Sequence, residues 1–473
     1  MNNFDDLDFQ SDSEDNFGES SPGQNIEEEI SRITNSFNEL NTILDSDSLE
    51  EIINLYFEDN QYAKALEYID ILLKYYPYST EAYYKKALIL DNLGNYDEAL
   101  VYFDKALLLD PNDTEIYLNQ GIAFDNSGKY QQALISYRKA IDIEPNNTEA
   151  LFNMGLTFER LEQFSDAIEC FNKVIECNND FKDAYYELGY CYDFLDLLDN
   201  SMEAYKKHLE LAPLNYNAWY NIGIVLNRKG RYLKAIESYE MCLAIKENFA
   251  PAWYNCGNAF ASLGRLHKAI EYYKESILLK PKDSYAFHNI ANAYEELGEF
   301  EEAIEYYTKS INIDPHFCDS YCGRGNSHFN LDRFEDALKD YNSALMLCRE
   351  YSDIWYSKAD TEVTLKRYRD ALKSYEMVLK LDTGNPDAWY DYGSVLLELK
   401  QYKDALSAFN NASAYNPAWA EPYYEMSKIH FVLSEFENGL MMLEKGFKLN
   451  PKDRFSYDFK KDWKKILDFL MSR

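Results

Sequence analysis

Asparagines at a regular spacing are the residues of this chain that most suggest a binding chemistry. Successive members of the set lie 34 or 68 residues apart: Asn119, Asn153, Asn221, Asn255 and Asn289. An asparagine amide offers donors and an acceptor, so a row of amides can hydrogen-bond to the backbone of an extended peptide whatever its sequence. Each hydrogen bond contributes only about 1 kcal/mol, so binding requires several members of the row together.

The residue types that serve catalysis or metal binding show no such order. The six histidines form no HExxH pair, and the eight cysteines lack the second half-site that a zinc ligand set requires. A glycine-rich phosphate loop ending in GKS or GKT and a GxSxG elbow are also missing. The sequence therefore predicts no catalytic residue, no metal site and no cofactor, and a protein that is not an enzyme. We expect the cysteines to be mostly reduced thiols.

The asparagines share their period with many other residues. The same 34-residue spacing relates Trp219, Trp253 and Phe287, then Gly223, Gly257 and Ala291, then Gly230, Gly264 and Gly298, and finally Ala235, Ala269 and Ala303. A fixed period of this length indicates a stack of similar structural units. The register continues without insertion over residues 46–453 and defines twelve repeats. The repeats begin at Ser46, Thr80, Thr114, Thr148, Lys182, Tyr216, Ala250, Ser284, Cys318, Ser352, Pro386 and Ala420.

Each repeat contains the pattern of two helices. In the first helix, apolar or small residues at repeat positions 4, 7, 8 and 11 lie on one face, as do Trp219, Ile222, Gly223 and Leu226. Glycine at position 8 costs about 1 kcal/mol inside a helix, so its frequent use there predicts the close approach of a second helix. Glycine near position 15 favours a turn, an aromatic residue and an alanine follow it, and proline near position 32 ends the second helix.

This combination of small residue, turn glycine, aromatic residue, alanine and proline resembles the tetratricopeptide-repeat family over residues 46–453. The resemblance implies an all-α fold, a right-handed superhelical α-solenoid of about twelve tandem helix-turn-helix repeats. It also implies that the first helices line a concave groove in which peptides bind. The predicted peptide-binding residues then include three further asparagines on the same helices and two flanking tyrosines, which are Asn258, Asn292, Asn326, Tyr220 and Tyr254.

Three segments lie outside the repeats. Residues 1–25 are acidic, contain no basic residue and should form a disordered tail. Residues 26–45 carry an apolar stripe and predict an amphipathic helix, which covers the first repeat or, alternatively, dimerises; the stripe consists of Ile30, Ile33, Phe37, Leu40 and Leu44. Residues 454–473 carry a second stripe and predict a C-terminal capping helix, since a terminal repeat needs a cover with a polar outer face.

The formal net charge of −35 limits the class of partner. Nucleic acids and anionic membranes require a basic surface, so we expect neither. Acidic residues recur at repeat position 2 and favour a basic or neutral protein segment; they are Glu81, Glu115, Glu149, Asp183, Asp319, Asp353, Asp387 and Glu421. No secretory signal follows the first methionine, and no apolar run is long enough to span a bilayer, so we expect a cytoplasmic protein.

Three functions fit these observations. The first is a non-enzymatic scaffold that binds an extended peptide segment in the concave groove. The second is a self-association or assembly module that uses the 26–45 helix or an edge of the solenoid and forms a homo-oligomer. The third is an accessory subunit of an enzyme complex. The regular asparagines and the acidic groove edge favour the first.

Overall fold

Pairs of helices make up the described part of the chain. The computed structural model describes Ile30 and residues 45–452, and within them it contains 24 α-helices and no β-strand. The first helices of the pairs are α1 (Ser46–Glu58), α3 (Thr80–Asn92), α5 (Thr114–Asn126), α7 (Thr148–Arg160), α9 (Lys182–Phe194), α11 (Tyr216–Arg228), α13 (Ala250–Ser262), α15 (Ser284–Glu296), α17 (Cys318–Asn330), α19 (Ser352–Thr364), α21 (Pro386–Glu398) and α23 (Glu421–Val432). The second helices are α2 (Tyr62–Tyr75), α4 (Tyr96–Leu109), α6 (Tyr130–Ile143), α8 (Phe164–Cys177), α10 (Leu198–Leu211), α12 (Tyr232–Ile245), α14 (Leu266–Leu279), α16 (Phe300–Ile313), α18 (Phe334–Leu347), α20 (Tyr368–Leu381), α22 (Tyr402–Tyr415) and α24 (Phe436–Leu449).

The chain divides into two compact halves, the N-terminal half Met1–Ala218 and the C-terminal half Trp219–Arg473. In each half the two helices of a pair pack against each other, and the second helix also packs against the first helix of the next pair. First helices of consecutive pairs touch as well, as α5 touches α7 and α15 touches α17. The all-α stack of helical hairpins expected from the sequence is confirmed within each half.

Side chains just before the first helices fix several of their starts. The carboxylate of Asp113 accepts hydrogen bonds from the backbone N–H groups of Glu115 and Ile116, at 2.9 and 3.1 Å. Such a cap satisfies amide groups that the first helical turn leaves without a partner. One start differs from the sequence register: α23 begins at Glu421 rather than at Ala420.

The glycines at repeat position 8 make the close helix contact that the sequence predicts. A Cβ atom on Gly257 would lie 2.6 Å from the ring of Tyr273, and one on Gly189 would lie 2.6 Å from the ring of Tyr205. Both tyrosines are buried and come from the second helix of the same pair. The glycine therefore costs helix propensity but lets a large ring pack directly on the first helix.

The turn between paired helices requires positive φ in every hairpin. Glycine supplies it in five pairs, with φ between 67° and 77°: Gly94, Gly128, Gly230, Gly264 and Gly298. In the other seven pairs a residue with a side chain takes the same conformation, with φ between 57° and 64°: Asn60, Glu162, Asp196, Asp332, Lys366, Lys400 and Ser434. The loop length fixes this conformation, so the loss of glycine strains the turn but does not change it.

The expectation of mostly reduced thiols is confirmed for six of the eight cysteines, while one pair forms a disulfide. Cys318, at the start of α17, and Cys348, directly after α18, form a disulfide with their Cα atoms 6.4 Å apart. The other six cysteines are free. The first residue of a hairpin and a residue just past its second helix lie side by side, so a separation of 30 residues brings the two thiols together. Because disulfides persist in oxidising compartments, this pair gives no support to a cytoplasmic location, which stays a prediction.

Most of the chain outside the hairpins lies beyond the described residues. This applies to the predicted tail 1–25, to nearly all of the predicted helix 26–45, and to the predicted capping helix 454–473. Ile30 is described, and it is buried in a cluster that contains Leu49 and Ile52 of α1. Among the residues that the structure describes, no helix is both long enough and apolar enough to cross a bilayer.

Candidate functional site

The predicted asparagines all lie on first helices. Asn119 is on α5, Asn153 on α7 and Asn221 on α11, while the remaining five lie on α13, α15 and α17: Asn255, Asn258, Asn289, Asn292 and Asn326. All eight side chains are partly buried. Partial burial means that some of their amide groups bond within the protein, so each amide has to be accounted for separately.

Tyrosines join the asparagines of consecutive repeats. The side-chain amide of Asn289 donates to the hydroxyl of Tyr254 at 2.9 Å, and the amide of Asn255 donates to Tyr220 at 2.9 Å. The ring of Tyr220 packs on Phe249, which directly precedes the next first helix, with centroids 5.1 Å apart, and the ring of Tyr254 packs on Tyr273 at 5.7 Å. Burial raises the pKa of Tyr254, which keeps its hydroxyl neutral. The tyrosines that the sequence assigns to peptide contact thus also hold neighbouring first helices together.

The N-terminal half contains one such bond among its asparagines. Asn119 donates to the hydroxyl of Tyr84 at 2.8 Å. Asn153 follows a repeat that carries Leu118 in place of the tyrosine, and its amide donates to the backbone carbonyl of Glu149 at 3.0 Å. The bond across repeats therefore requires both residue types, 35 positions apart.

A second row of asparagines bonds to the buried tyrosines of the second helices. The hydroxyl of Tyr273 donates to the side-chain oxygen of Asn258 at 2.7 Å, and Tyr341 donates to Asn326 at 2.8 Å. Asn292 accepts in the same way from Tyr307. The tyrosine rings pack on the small residues at repeat position 8, and the asparagines satisfy their hydroxyl groups. The second row of asparagines therefore holds these buried rings in place at the edge of the protein surface.

Amide groups connect both rows in the C-terminal half. Asn289 donates to the side-chain oxygen of Asn258 at 3.0 Å, and Asn258 donates to that of Asn255 at 3.3 Å. We call Asn255, Asn258, Asn289 and Asn292 the amide cluster. Its members fix one another's orientation, which lowers the entropy cost of binding a ligand there.

A cavity of about 320 Å³ opens beside the amide cluster. Its lining consists of Asn258, Ala261, Ser262, Leu266, Tyr273, Asn289, Asn292, Ala293 and Glu296. Ligand pockets span about 300–1,000 Å³, so the volume suits part of a peptide. The side-chain oxygen of Asn289 accepts no hydrogen bond from the described residues, whereas Asn258 directs its N–H donors to Asn255 and Tyr254. Asn292 donates to His288 at 3.0 Å and has a second N–H donor. The cavity wall therefore offers a spare acceptor on Asn289 and a spare donor on Asn292.

The first helices of the N-terminal half carry a row of acids that the sequence analysis missed. Repeat position 12 is acidic in four consecutive repeats: Asp91, Asp125, Glu159 and Asp193. In the seven following repeats only one residue at this position is acidic: Asn227, Ala261, Glu295, Phe329, Val363, Leu397 and Phe431. The signal was available as a column in the repeat register, but the many acidic residues elsewhere in the chain hid it.

The acids in this row have different partners. Asp125 forms an ion pair with Arg160 and accepts from the hydroxyl of Thr157 at 3.2 Å. Burial raises the pKa of Asp125, and Arg160 opposes that shift. Glu187 lies on α9 at the repeat position of Asn255 and Asn289. Burial also raises the pKa of Glu187, and the negative charges of Glu159 and Asp183 raise it further. In the described part of the chain no group of His, Cys, Asp and Glu has the three members needed to hold a metal ion.

Comparisons with known proteins give one consistent family. A tetratricopeptide-repeat model matches residues 80–113, 148–181, 216–249, 250–283 and 284–317. Further models of the same repeat match residues 102–135, 126–162, 182–213, 319–351 and 362–428. No curated protein sequence matches the chain.

Solved structures share the repeat over part of the chain. A crystal structure of MamA is 29% identical over 36% of this chain and 94% of its own, with a TM-score of 0.35. YrrB, described as a TPR protein with an unusual peptide-binding site, is 22% identical over 39% of this chain and 96% of its own, with a TM-score of 0.36. The C-terminal part of a repeat protein from Cytophaga hutchinsonii is 19% identical over 51% of this chain and 98% of its own, with a TM-score of 0.46.

Proposed function

The chain belongs to the tetratricopeptide-repeat family, and we propose that it is a non-enzymatic scaffold that binds an extended protein segment along its first helices. The repeats themselves support a role in protein–protein interaction. The finer proposal concerns the place of binding, which is the amide cluster and the cavity beside it. The observation that carries it is the spare acceptor of Asn289 and the spare donor of Asn292 at the wall of that cavity.

The chemistry of this wall suits a peptide backbone. Each residue of an extended chain presents one N–H donor and one C=O acceptor, which complement one amide acceptor and one amide donor. The apolar part of the lining, which includes Ala261, Leu266 and Ala293, accommodates a small side chain. Because backbone groups carry no sequence information, the amide cluster would hold many segments, and neighbouring residues would select among them.

Charge narrows the partner to a basic or neutral segment. The chain carries a formal net charge of −35, and Glu296 stands at the cavity edge. An acidic segment would meet like charges, which lower the association rate and the affinity. Self-association through the 26–45 helix would use residues that lie almost wholly outside the described part, and it stays a prediction.

The test is a binding measurement on N289A/N292A. Peptides selected by the full-length protein from a phage-displayed library of random dodecapeptides serve as probes, with fluorescence anisotropy as the readout. Two lost hydrogen bonds of about 1 kcal/mol each should weaken binding at least tenfold.

The matched control is Y84F/Y341F. It removes two tyrosine–asparagine bonds of 2.8 Å that do not border the cavity, and it leaves Asn289 and Asn292 in place. It should therefore lower stability about as much as N289A/N292A but preserve binding. Equal loss of binding in both variants would show that the asparagines act through packing alone, and selection of no peptide at all would refute the proposed function.

A further inference from the structure

Glu187 breaks the asparagine pattern at a buried position of the N-terminal half. It occupies the repeat position of Asn289, whose side chain points toward the preceding first helix and bonds to Tyr254 and Asn258 there. Glu187 is only 8% exposed. A buried carboxylate is expensive unless hydrogen bonds or an opposite charge compensate it.

The repeat before Glu187 lacks the groups that satisfy Asn289. Phe152 replaces the tyrosine, and Leu156 replaces Asn258. The ring of Phe152 packs as the ring of Tyr220 does: its centroid lies 5.0 Å from that of Phe181, while that of Tyr220 lies 5.1 Å from that of Phe249. The packing is kept and the hydroxyl is lost, so no described residue donates a hydrogen bond to the side chain of Glu187.

Glu159 adds a second carboxylate to this position. It lies one turn beyond Leu156 on the same face of α7, and α7 touches α9, which carries Glu187. The charge of Glu159, together with that of Asp183, raises the pKa of Glu187. The adjacent cation, Arg160, is paired with Asp125 of the repeat before. The two carboxylates thus act on each other, and Arg160, which forms its ion pair with Asp125, offsets the raised pKa of Glu159 only in part.

We propose that Glu159 and Glu187 form a subsite for one lysine or arginine side chain of the extended segment that the first helices bind. The inference rests on the proposed function and names a residue that the segment must carry. An ammonium or guanidinium group supplies the donors that the chain lacks here, and its charge compensates the two carboxylates. The aliphatic stem of the same side chain lies against Phe152 and Leu156, as the long stems of basic residues do on apolar surfaces.

A metal ion is a poorer occupant of the same position. Calcium takes six to eight oxygen ligands and magnesium six, whereas the pair offers at most four carboxylate oxygens. Burial raises the pKa of Glu159 and of Glu187, so without a ligand the pair tends to hold a proton. Binding of a basic side chain should therefore release that proton, which gives the proposal a second, independent readout.

Peptide selection tests the subsite on the full-length protein. Wild type, E159Q/E187Q and E169Q/E176Q are each used to select from the library of random dodecapeptides, and the selected pools are sequenced. Glu169 and Glu176 are exposed on α8, so their double variant changes the net charge equally without touching the pair. We expect wild type and E169Q/E176Q to enrich lysine or arginine at one fixed position of a shared motif, and E159Q/E187Q to enrich none there.

Binding of one selected peptide gives the magnitude. Acetylation of its fixed lysine should weaken binding to wild type about tenfold or more, and it should leave binding to E159Q/E187Q unchanged. Calorimetry in buffers of different ionisation enthalpy should detect proton release with wild type and none with E159Q/E187Q. Circular dichroism verifies that each variant is folded.

Each alternative result has a distinct meaning. Equal enrichment of basic residues by all three proteins would overturn the subsite and leave only general attraction to an acidic surface. A motif without a fixed basic residue would also overturn it, while the proposed function would stand. If none of the proteins enriched any peptide, both proposals would fall.

Discussion

The two halves of the chain build the same helical hairpin and place different polar groups at equivalent positions of their first helices. In the C-terminal half, Asn289 bonds to Tyr254 and Asn258 and borders a cavity with spare amide groups. In the N-terminal half, Glu187 follows a repeat that carries Phe152 and Leu156 at the positions of Tyr254 and Asn258, and no described residue donates a hydrogen bond to its side chain. Three substitutions in a constant helical hairpin thus replace a neutral amide surface by an acidic one.

This difference separates the parts of the repeat that fold the chain from those that define its surface. Gly189 with Tyr205 and Gly257 with Tyr273 make the same contact in the two halves, because a large ring of the second helix packs on this position of the first. The polar positions bear no such constraint. Polar residues there are tolerated wherever neighbouring repeats, water or a ligand satisfy them, so they are free to differ between halves.

The largest expected effect tests whether both halves depend on the same contact between a glycine of the first helix and a ring of the second. G189V and G257V should each destabilise the protein by about 3 kcal/mol, because the added side chain overlaps a buried ring that has no room to move. Urea unfolding of the full-length protein measures the change. G384V is the control, since a Cβ atom there meets only Asp382 at 3.6 Å. A large effect in one half and a negligible one in the other would show that the halves pack differently.

A smaller effect tests whether the polar groups alone make the difference. F152Y/E187N rebuilds the tyrosine–asparagine pair in the N-terminal half, and thermodynamic coupling between the two changes should be about 1 kcal/mol in favour of the double variant. The measurement is a double-mutant cycle by urea unfolding. Y254F/N289E, the reverse exchange in the C-terminal half, should lower stability. Zero coupling in the first cycle would mean that the backbones of the two halves differ at this position.

The smallest effect concerns pH. Burial raises the pKa of Glu159 from 4.5 to about 8, Arg160 opposes the shift, and the pKa of Glu187 is also raised. Between pH 4.5 and 8 the folded state therefore binds more protons than the unfolded state, so the free energy of unfolding falls as pH rises. In E187Q the free energy of unfolding should fall less over this pH range. The melting temperature of wild type and E187Q across this range measures it, and parallel curves would contradict the account.

The sequence predicts the helical hairpin well because its packing contacts are local and recur in every repeat. The period of Gly223, Gly257 and Ala291 leads directly to the helix contact that the structure contains, because each repeat poses the same packing problem. Helix starts follow from the same register, with Glu421 the one displaced start. Comparison of twelve similar repeats separates the recurring residue pattern from chance differences, which is not possible in a domain without repeats.

The connections between repeats were not predictable in the same way. The bond between Tyr254 and Asn289 spans 35 residues and depends on how two first helices lie side by side. The pairing of Cys318 with Cys348 likewise depends on the return of the hairpin, not on a motif. Positive φ at a residue such as Lys366 contradicts local preference and follows only from the loop length.

The central claim is that the amide cluster binds a peptide backbone, and one dissociation constant tests it most directly. It is that of a single selected peptide for N289A/N292A, measured beside wild type and Y84F/Y341F. We predict a rise of at least tenfold for N289A/N292A and no change for Y84F/Y341F. An unchanged dissociation constant for N289A/N292A would contradict the claim and reduce the asparagines to packing residues of the repeat.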